Sequence, residues 1–307
     1  MKIRVGLLLL VPAVAFAGAK VSSYNKDARM GNNFWAAGSA IDGKAETAWL
    51  LPGESPMRGE WIEIDLPRAE IDKIAILPGF AKNDETFSDY GRVKTLRVDF
   101  YSQTDVEVIT QVGTANITVA DKRELQVLDL PDTKVGGEMF GGKVKLSIVD
   151  FYPGADYPSV GISEVLLHLK EFDAAVSLIE PSGESAGHEF TMASDTNPKT
   201  FWATAAEGAG LTIKSGSYGV STVGFQAANK DYARPKTVEL SSGNKKQITV
   251  LPDGTDMNWA QVPGANGFVG GAVADVVVKI IDTYPGAKSA ELGVAEIKVK
   301  ATNVESF

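Results

Sequence analysis

The sequence predicts an all-β protein built from two tandem β-sandwich domains behind an export signal. Three observations support this prediction. Short apolar segments with strand periodicity recur along the chain, no segment shows the longer period of an amphipathic helix, and three sequence blocks recur in the same order in both halves. We expect a signal peptide at residues 1–17, a first sandwich at 18–172 and a second at 173–307.

The N-terminus has the pattern of a secretory signal peptide. Lys2 and Arg4 precede an apolar run at 5–14, and the small residues Ala15 and Ala17 follow at the spacing that a signal peptidase reads. The run is too short to cross a bilayer, and no later segment approaches about eighteen apolar residues, so we expect no transmembrane segment. A buried first strand is the alternative interpretation. The expected location is the periplasm or the extracellular space.

Composition excludes several classes of partner and chemistry. Asp and Glu number 39 against 30 Lys and Arg, so nucleic acid and anionic lipid are poor partners. The chain contains no cysteine, which excludes disulfides, a lipid-modified cysteine and a thiol nucleophile. Export without cysteine is typical of a bacterial envelope or secreted protein.

No catalytic domain is predicted. The string at 183–187 reads G-x-S-x-G with His188 adjacent, but a nucleophile elbow requires a strand that runs directly into a helix. Pro181 interrupts that approach and no helical pattern follows, so we interpret the string as a loop. A glycosidase with two carboxylates needs no local motif and stays open as an alternative.

Strand patterns of four to six residues lie between clusters of Gly, Pro, Asn and Asp. They occur at 61–66, 73–77, 95–100 and 144–148 in the first half, and at 237–240, 247–251 and 276–280 in the second.

The two halves share three blocks. The first reads A-x-D-x-x-x-x-T-x-W at 40–49 and again at 193–202. The second is a Gly-Phe pair, a loop and Y-x-R-x-K-T, which ends at Thr95 and Thr237. The third runs from D-x-Y-P-G-A to G-[IV]-x-E-[IV]. Such a long period predicts a duplicated domain rather than a solenoid.

These blocks resemble the galactose-binding-like, or discoidin-type, jelly roll, whose modules carry an early A-x-D-G-x-x-x-T-x-W block and a closing G-[IV]-x-E-[IV] strand. The segment from Gly79 to Leu96 further resembles the NADase-type glycan-binding domains. Two departures are Asp89-Tyr90, where that group often has Asn, and Thr196, which replaces the block's glycine. The resemblance implies two jelly-roll binding modules, and no segment is left over for an NAD-cleaving enzyme.

The D-x-x-x-x-T block would bring carboxylate, hydroxyl and carbonyl oxygens together in a tight turn, and such hard ligands suit calcium. Modules of the resembled family often hold a structural calcium there. The candidate ligands are Asp42, Thr47 and Glu164 in the first copy, and Asp195, Thr200 and Glu296 in the second. The alternative is that each Asp caps a turn and each Glu faces solvent at a strand edge.

Ligand contacts are expected from loops at one end of each sandwich, since a rigid scaffold leaves loops free to vary. The candidates, chosen as aromatic or planar hydrogen-bonding groups, are Trp35, Asn83, Asp84, Tyr90, Arg92 and the pair Asp156-Tyr157 in the first copy, and Asn229, Tyr232, Arg234 and Trp259 in the second. We expect Trp35, Asn83, Tyr157 and Trp259 in loops. For each Tyr and Arg, the alternative is a strand-edge residue that packs its stem and pairs with a carboxylate.

Together these patterns predict a secreted, non-catalytic protein that binds carbohydrate, with structural calcium as its candidate cofactor. The alternative is a structural or assembly factor that binds another envelope protein.

Overall fold

The computed structural model describes residues 18–303 except 28, 30, 32, 106, 137–139, 175–178, 215–217 and 266–273. The predicted signal peptide lies outside the described residues. The chain divides into two compact units, and the boundary in the sequence lies between Lys170 and Glu171. They are called unit 1 and unit 2 below. Across the described ranges, no helix is long and apolar enough to span a membrane.

Unit 1 is almost entirely β-structure. Its strands are β1 (Ala19–Val21), β2 (Trp49–Leu50), β3 (Trp61–Leu66), β4 (Ala69–Pro78), β5 (Gly91–Asp105), β6 (Val108–Thr118), β7 (Gln126–Val135), β8 (Gly142–Tyr152) and β9 (Val160–Leu169). A 3-10 helix (Ala37–Ala40) and the short helix α1 (Asp84–Asp89) lie in the connections.

The strands of unit 1 are hydrogen-bonded into one nine-stranded sheet, which folds into two layers around the core. One has the order β1–β3–β8–β5, with β6 on the outer edge of β5, and the other has the order β9–β4–β7, with β2 on β9. A short parallel ladder, Gly91 to Val160 and Arg92 to Gly161, joins β5 to β9, whereas the other ladders are antiparallel.

Alternating side chains fill the space between the layers. Ile62, Ile64 and Leu66 of β3 are fully buried, and the residues between them are partly exposed. This is the pattern that the sequence predicted at 61–66, because successive side chains of a strand point to opposite faces. Burial of each such side chain contributes about 1.5–3 kcal/mol. The all-β prediction is confirmed.

Unit 2 repeats this architecture. Its strands are β10 (Phe172–Ala174), β11 (Ile179–Pro181), β12 (Trp202–Thr204), β13 (Gly210–Ile213), β14 (Tyr218–Ala227), β15 (Arg234–Ser242), β16 (Lys245–Val250), β17 (Met257–Gln261), β18 (Val276–Tyr284) and β19 (Leu292–Asn303), with a 3-10 helix at Phe190–Ala193.

The strand order of unit 2 matches that of unit 1, apart from the additional strand β10 on β19. One sheet has the order β11–β13–β18–β15–β16. The other has the order β10–β19–β14–β17, with β12 on β19. An isolated parallel bridge between Ala233 and Leu292 lies where β5 meets β9 in unit 1. Each unit has its own buried apolar core.

The equivalent outer strands β6 and β16 differ in composition. β6 forms a ladder with β5 and has no charged residue over its whole length. Val108, Ile109 and Val112 of β6 are exposed. β16 forms a ladder with β15 and begins with two lysines.

Candidate functional site

Arg92, at the start of β5, is a buried structural clamp. Its Nε and Nη2 donate to the two carboxylate oxygens of Asp121 at 2.9 and 2.7 Å. Its Nη1 donates to the carbonyl oxygens of Tyr90 at 3.0 Å and Pro153 at 2.8 Å. The residue is 9% exposed. This geometry fits the alternative interpretation of Arg92, a fold residue paired with a carboxylate.

Arg234 makes the same contacts in unit 2. It donates to both carboxylate oxygens of Asp253 at 2.7 and 3.2 Å, and to the carbonyls of Tyr232 and Pro285 at 3.2 Å. The hydrogen bond from Arg234 lowers the pKa of Asp253. The recurrence of Y-x-R therefore reflects a shared fold feature.

The clamp holds two loops together in what we call the loop frame, residues 88–92 with 153–157. The amides of Ala155 and Tyr157 donate to the carbonyls of Ser88 and Asp89 at 3.0 and 2.9 Å. Gly154 is required here because a Cβ would lie 2.2 Å from the Asp89 carbonyl oxygen.

Unit 2 has an equivalent loop frame, residues 230–234 with 285–289. The amides of Ala287 and Ser289 donate to the carbonyls of Lys230 and Asp231 at 2.9 and 2.8 Å. A Cβ on Gly286 would lie 2.2 Å from the Ser289 carbonyl oxygen. The two frames therefore share a backbone arrangement.

An aromatic cluster lies on the unit 1 frame. The rings of Tyr90 and Tyr157 stack with centroids 4.5 Å apart and planes 18° from parallel, and Tyr157 is 48% exposed. Phe80 and Trp35 pack against Tyr90 with centroids at 5.8 and 6.5 Å. Phe34 packs edge-on against Trp35. Three predicted ligand residues, Trp35, Tyr90 and Tyr157, thus come together.

Trp35 lies in the buried wall of this cluster and not on its exposed surface. It is only 6% exposed, and its indole Nε1–H has no hydrogen-bond partner among the described residues. Most buried indole N–H groups do have a partner, so this one is an unused donor.

Two acidic residues flank the stacked pair of Tyr90 and the exposed Tyr157. The carbonyl of Asp89 accepts the amides of Asp156 and Tyr157, which places both acidic residues in the frame. Partial burial, then the negative charges of Asp156 and Glu85, raise the pKa of Asp89. Burial first, then the neighbouring Tyr157 hydroxyl and Asp89, raise the pKa of Tyr90. The surface is therefore anionic.

The corresponding surface of unit 2 is built differently. Tyr232 contacts Phe201 edge-on at 4.7 Å, and His188 stacks on Phe201 at 4.1 Å. Lys288 Nζ lies 2.8 Å from an Asp231 carboxylate oxygen. The negative charge of Asp231 in this frame is thus balanced by the positive charge of Lys288.

The side chains of Asn83 and Asp84 contact residues outside the aromatic cluster. Asn83 caps α1, since its Oδ1 accepts from the Thr86 amide at 2.8 Å and the Thr86 hydroxyl accepts from the Asn83 amide at 3.1 Å. Asp84 pairs with Arg123 at 2.8 Å. In unit 2, the Asn229 side chain accepts from the Asp231 amide at 2.9 Å and so holds a turn.

The expectation that Trp259 lies in a loop is wrong. Trp259 belongs to β17 and lies opposite Gly224 of β14, where a Cβ would be 2.9 Å from the indole ring. The ring thus covers the glycine across the strand pair, a role for which an aromatic residue is suited. Lys300 Nζ lies 4.7 Å from the ring centroid.

The proposed calcium ligands of unit 1 lie together around a buried carboxyl group. The Thr47 hydroxyl and the Lys44 amide donate to Asp42 at 2.8 and 3.0 Å. Glu164 is 5% exposed, and among the described residues neither of its carboxylate oxygens has a hydrogen-bond partner of good geometry, although backbone amides lie near them. Burial, then the charge of Asp42, raises the pKa of Glu164 to about 8, and backbone amides oppose the rise only in part. Glu164 thus does not face solvent, and Asp42 does hold a turn.

The proposed ligands of unit 2 keep this arrangement. The Thr200 hydroxyl donates to Asp195 at 2.7 Å. Glu296 is buried, and one of its oxygens has no partner in the described part of unit 2; burial, then the charge of Asp195, raises its pKa. Thr196 has φ 61° where Gly43 has φ 75°, so the turn persists without its glycine. Across the described ranges, no three His, Cys, Asp or Glu side chains form a metal-binding group. A metal would therefore need hydroxyl and carbonyl ligands too.

The G-x-S-x-G string forms a turn. The Ser185 hydroxyl donates to Glu291 at 2.8 Å, while the His188 ring stacks on Phe201. The arrangement is that of a surface loop rather than an activated serine next to a histidine base.

The family model of the NAD glycohydrolase translocation F5/8 type C domain matches residues 15–168, half of the chain. The chain belongs to this family. The matched range includes the clamp, the aromatic cluster and the Glu164 site. No curated protein matches the chain significantly.

Solved structures similar to this F5/8 type C protein are remote. CpGH89CBM32-5 from Clostridium perfringens, in complex with GalNAc-β-1,3-galactose, is 19% identical and covers 49% of this chain and 93% of its own, with TM-score 0.35. The family 32 carbohydrate-binding module of C. perfringens NanJ, in complex with galactose, is 16% identical, covers 49% and 91%, and has TM-score 0.33. Allantoicase from Saccharomyces cerevisiae is 13% identical, covers 95% and 92%, and has TM-score 0.37.

Sequence reasoning missed the acidic character of the unit 1 surface. Asp89 was not among the predicted site residues, and Asp156 was named only as the neighbour of Tyr157. The signal was available, because Asp156-Tyr157 follows the Y-P-G-A block directly, at the position where the second copy has Lys288-Ser289.

Proposed function

We propose that this chain is an exported, non-catalytic protein that recognises carbohydrate through the loop end of unit 1. The observation that carries the proposal is the stacked Tyr90–Tyr157 pair, in which Tyr157 is half exposed on a rigid loop frame. An amphipathic aromatic face offers apolar area to the C–H face of a sugar at low entropic cost, and the flanking carboxylates accept hydrogen bonds from hydroxyls.

We further propose that the two units are tandem modules, with the boundary at Lys170 and Glu171 rather than at the expected 172 and 173, because β10 (Phe172–Ala174) pairs with β19 of unit 2. Besides the shared strand order, the buried tryptophans recur with the same bond: Trp49 Nε1 donates to the Ser23 carbonyl at 2.9 Å and Trp202 Nε1 to the Gly183 carbonyl at 2.8 Å. Both are core anchors.

Structural calcium is proposed at Asp42, Thr47 and Glu164, and at Asp195, Thr200 and Glu296. The fit rests on the two unpartnered, buried oxygens of Glu164, since a divalent cation would satisfy them and neutralise the repulsion from Asp42. Calcium would supply charge to the fold and would take no part in chemistry.

A glycan array tests the carbohydrate function. The mature protein is expected to bind, and Tyr157→Ser is expected to lose the signal because the exposed ring is removed. Ser289→Ala, at the equivalent position of unit 2, is the matched control and should bind normally. A blank array with folded protein would overturn the proposal.

A protein-binding role is the second candidate, and the exposed apolar side chains of β6 favour it. Val108, Ile109 and Val112 would contribute to a contact with another envelope protein. Capture of one defined partner from envelope extract that Val112→Lys abolishes and Tyr157→Ser leaves intact would favour this role over glycan binding.

A further inference from the structure

The two loop frames share a backbone arrangement but differ in their side chains. The backbone hydrogen bonds of the frames are the same, and so is the arginine clamp beneath them. Their side chains differ at two adjacent positions. Unit 1 has Asp156 and Tyr157 where unit 2 has Lys288 and Ser289. The fold therefore does not dictate these residues, and their chemistry can serve a ligand.

The two frames differ in whether their charge is balanced. In unit 2, Lys288 pairs with Asp231 at 2.8 Å. In unit 1, the equivalent residues are both acids, and neither Asp89 nor Asp156 has an ion pair within the described part of the chain. The guanidinium of Arg92 contacts the same frame, but Asp121 already matches its charge with two hydrogen bonds.

Further acids surround the frame. In addition to burial, the negative charge of Glu85 helps to raise the pKa of Asp89, and that of Asp27 helps to raise the pKa of Tyr90, although Asp27 is itself paired with Arg29. Two neighbouring carboxylates that repel each other favour a cation between them. The exposed face of Tyr157 adds to this preference, because the negative face of an aromatic ring attracts a cation.

A separate observation is an unpartnered donor in the wall of the aromatic cluster. The Nε1–H of Trp35 is a buried donor with no partner among the described residues, and its ring packs against Tyr90. A ligand oxygen is one way to satisfy a donor of this kind, which costs about 1–3 kcal/mol when it is left unpaired. In unit 2 the residue at the position of Trp35 is His188, which directly precedes the cap residue Glu189, so the indole is present in unit 1 alone.

We propose that the unit 1 frame selects a sugar with a protonated amino group, such as a glucosamine residue, and that the unit 2 frame does not. This inference rests on the proposed carbohydrate function. The sugar ring would lie on Tyr157 and the ammonium group would bind Asp89 and Asp156, because hydrogen bonds between ionised groups are about twice as strong as neutral ones. N-acetylation removes the charge and the preference with it.

Calorimetric titration of the mature protein at about pH 6.5, where a large part of the sugar amine is protonated, tests the selectivity. The probes are the tetramer of glucosamine and the tetramer of N-acetylglucosamine. We expect the amine form to bind at least about tenfold more tightly, and this difference to shrink as salt is added. Asp156→Asn should reduce the preference, and Asp156→Lys, which copies unit 2, should abolish it.

The reverse graft is the matched control. Lys288→Asp with Ser289→Tyr copies the unit 1 residues onto the unit 2 frame and should add a second site, which doubles the binding stoichiometry. Far-ultraviolet circular dichroism verifies that each variant is folded.

The possible outcomes distinguish a failure of amine selectivity from a failure of carbohydrate binding itself. If both tetramers bind equally well and Tyr157→Ser loses both, carbohydrate binding stands and amine selectivity is overturned. If Asp156→Asn leaves the preference unchanged, the selectivity does not come from this frame. If neither tetramer binds and the glycan array is also blank, both proposals fail.

Discussion

Glu164 links protonation to folding at the scale of a single residue. Its pKa is about 8 in the folded protein against an ordinary value of 4.5, so between these values the folded state binds the proton more strongly than the unfolded state does. The contribution of Glu164 to the free energy of unfolding is therefore largest below about pH 4.5, falls as the pH rises through this interval, and stays low above about pH 8.

We predict that, in chelator, the Tm of the protein falls between about pH 5 and pH 8, because each unit of pH in this interval costs about 1.4 kcal/mol. Glu164→Gln should flatten this dependence and raise the Tm at the higher pH. Calcium should restore the Tm of the natural protein and not affect the variant at this site. Identical pH profiles for the two proteins would contradict the linkage.

Thr196 stores strain in unit 2, since a β-branched residue there has the left-handed backbone that Gly43 has in unit 1. We predict that Thr196→Gly raises the free energy of unfolding of unit 2 by about 0.5–1 kcal/mol, the strain relieved less the entropy lost. Urea unfolding measures this gain. The reciprocal change, Gly43→Thr, should destabilise unit 1, and no change in either variant would show that the turn is not strained.

At the scale of elements, β5 and two loops depend on the Arg92 clamp. We predict that Arg92→Ala lowers the free energy of unfolding by about 2–4 kcal/mol, because two partly buried carbonyls and Asp121 lose the donor that the buried guanidinium supplies. Arg92→Lys should recover part of this loss, since it keeps the charge without the planar fork.

The control for the clamp is Arg58→Ala. Arg58 is exposed and pairs with Asp150, so its loss should cost about 1 kcal/mol or less. Equal losses in the Arg58 and Arg92 variants, measured by urea unfolding, would show that Arg92 is not a clamp. Because the clamp supports Tyr90 and Tyr157, any loss of sugar binding in the Arg92 variants should follow their loss of structure.

Elements were predictable from the sequence where their apolar alternation is strict. The segment 61–66 is β3 residue for residue, because one face is buried and the other is not. β6 was missed, since its exposed Thr, Gln, Gly and Asn residues show no alternation. β17 was missed for a different reason. Trp259 lies on this strand because its ring covers Gly224 of β14, and that pairing is not visible in the local sequence.

The candidate site was predictable only in part. Tyr90 and Tyr157 were chosen for their chemistry, and the structure stacks them. The contacts of Arg92 depend on Asp121, which lies 29 residues further along the chain and was not marked by any motif. Burial by distant residues is what separates a ligand contact from a scaffold residue, and local sequence does not report it.

At the scale of the whole molecule, each unit has its own core and its own set of sheets. We predict that residues 18–170 and 171–303, expressed separately, each fold with a cooperative transition, since domains of this size can bury sufficient apolar surface. Thermal unfolding by circular dichroism measures this. A unit that stays unfolded alone would contradict the proposed tandem modules.

The contrast between β6 and β16 has a consequence for handling the protein in solution. Edge strands attract the backbone of other chains, and lysines are a common means of keeping such strands apart. β16 has two lysines at its start, whereas β6 has none over its eleven residues. Light scattering should therefore detect clusters of isolated unit 1 at a lower concentration than clusters of isolated unit 2. The solubility limit of the entire protein would then be set by one unprotected strand.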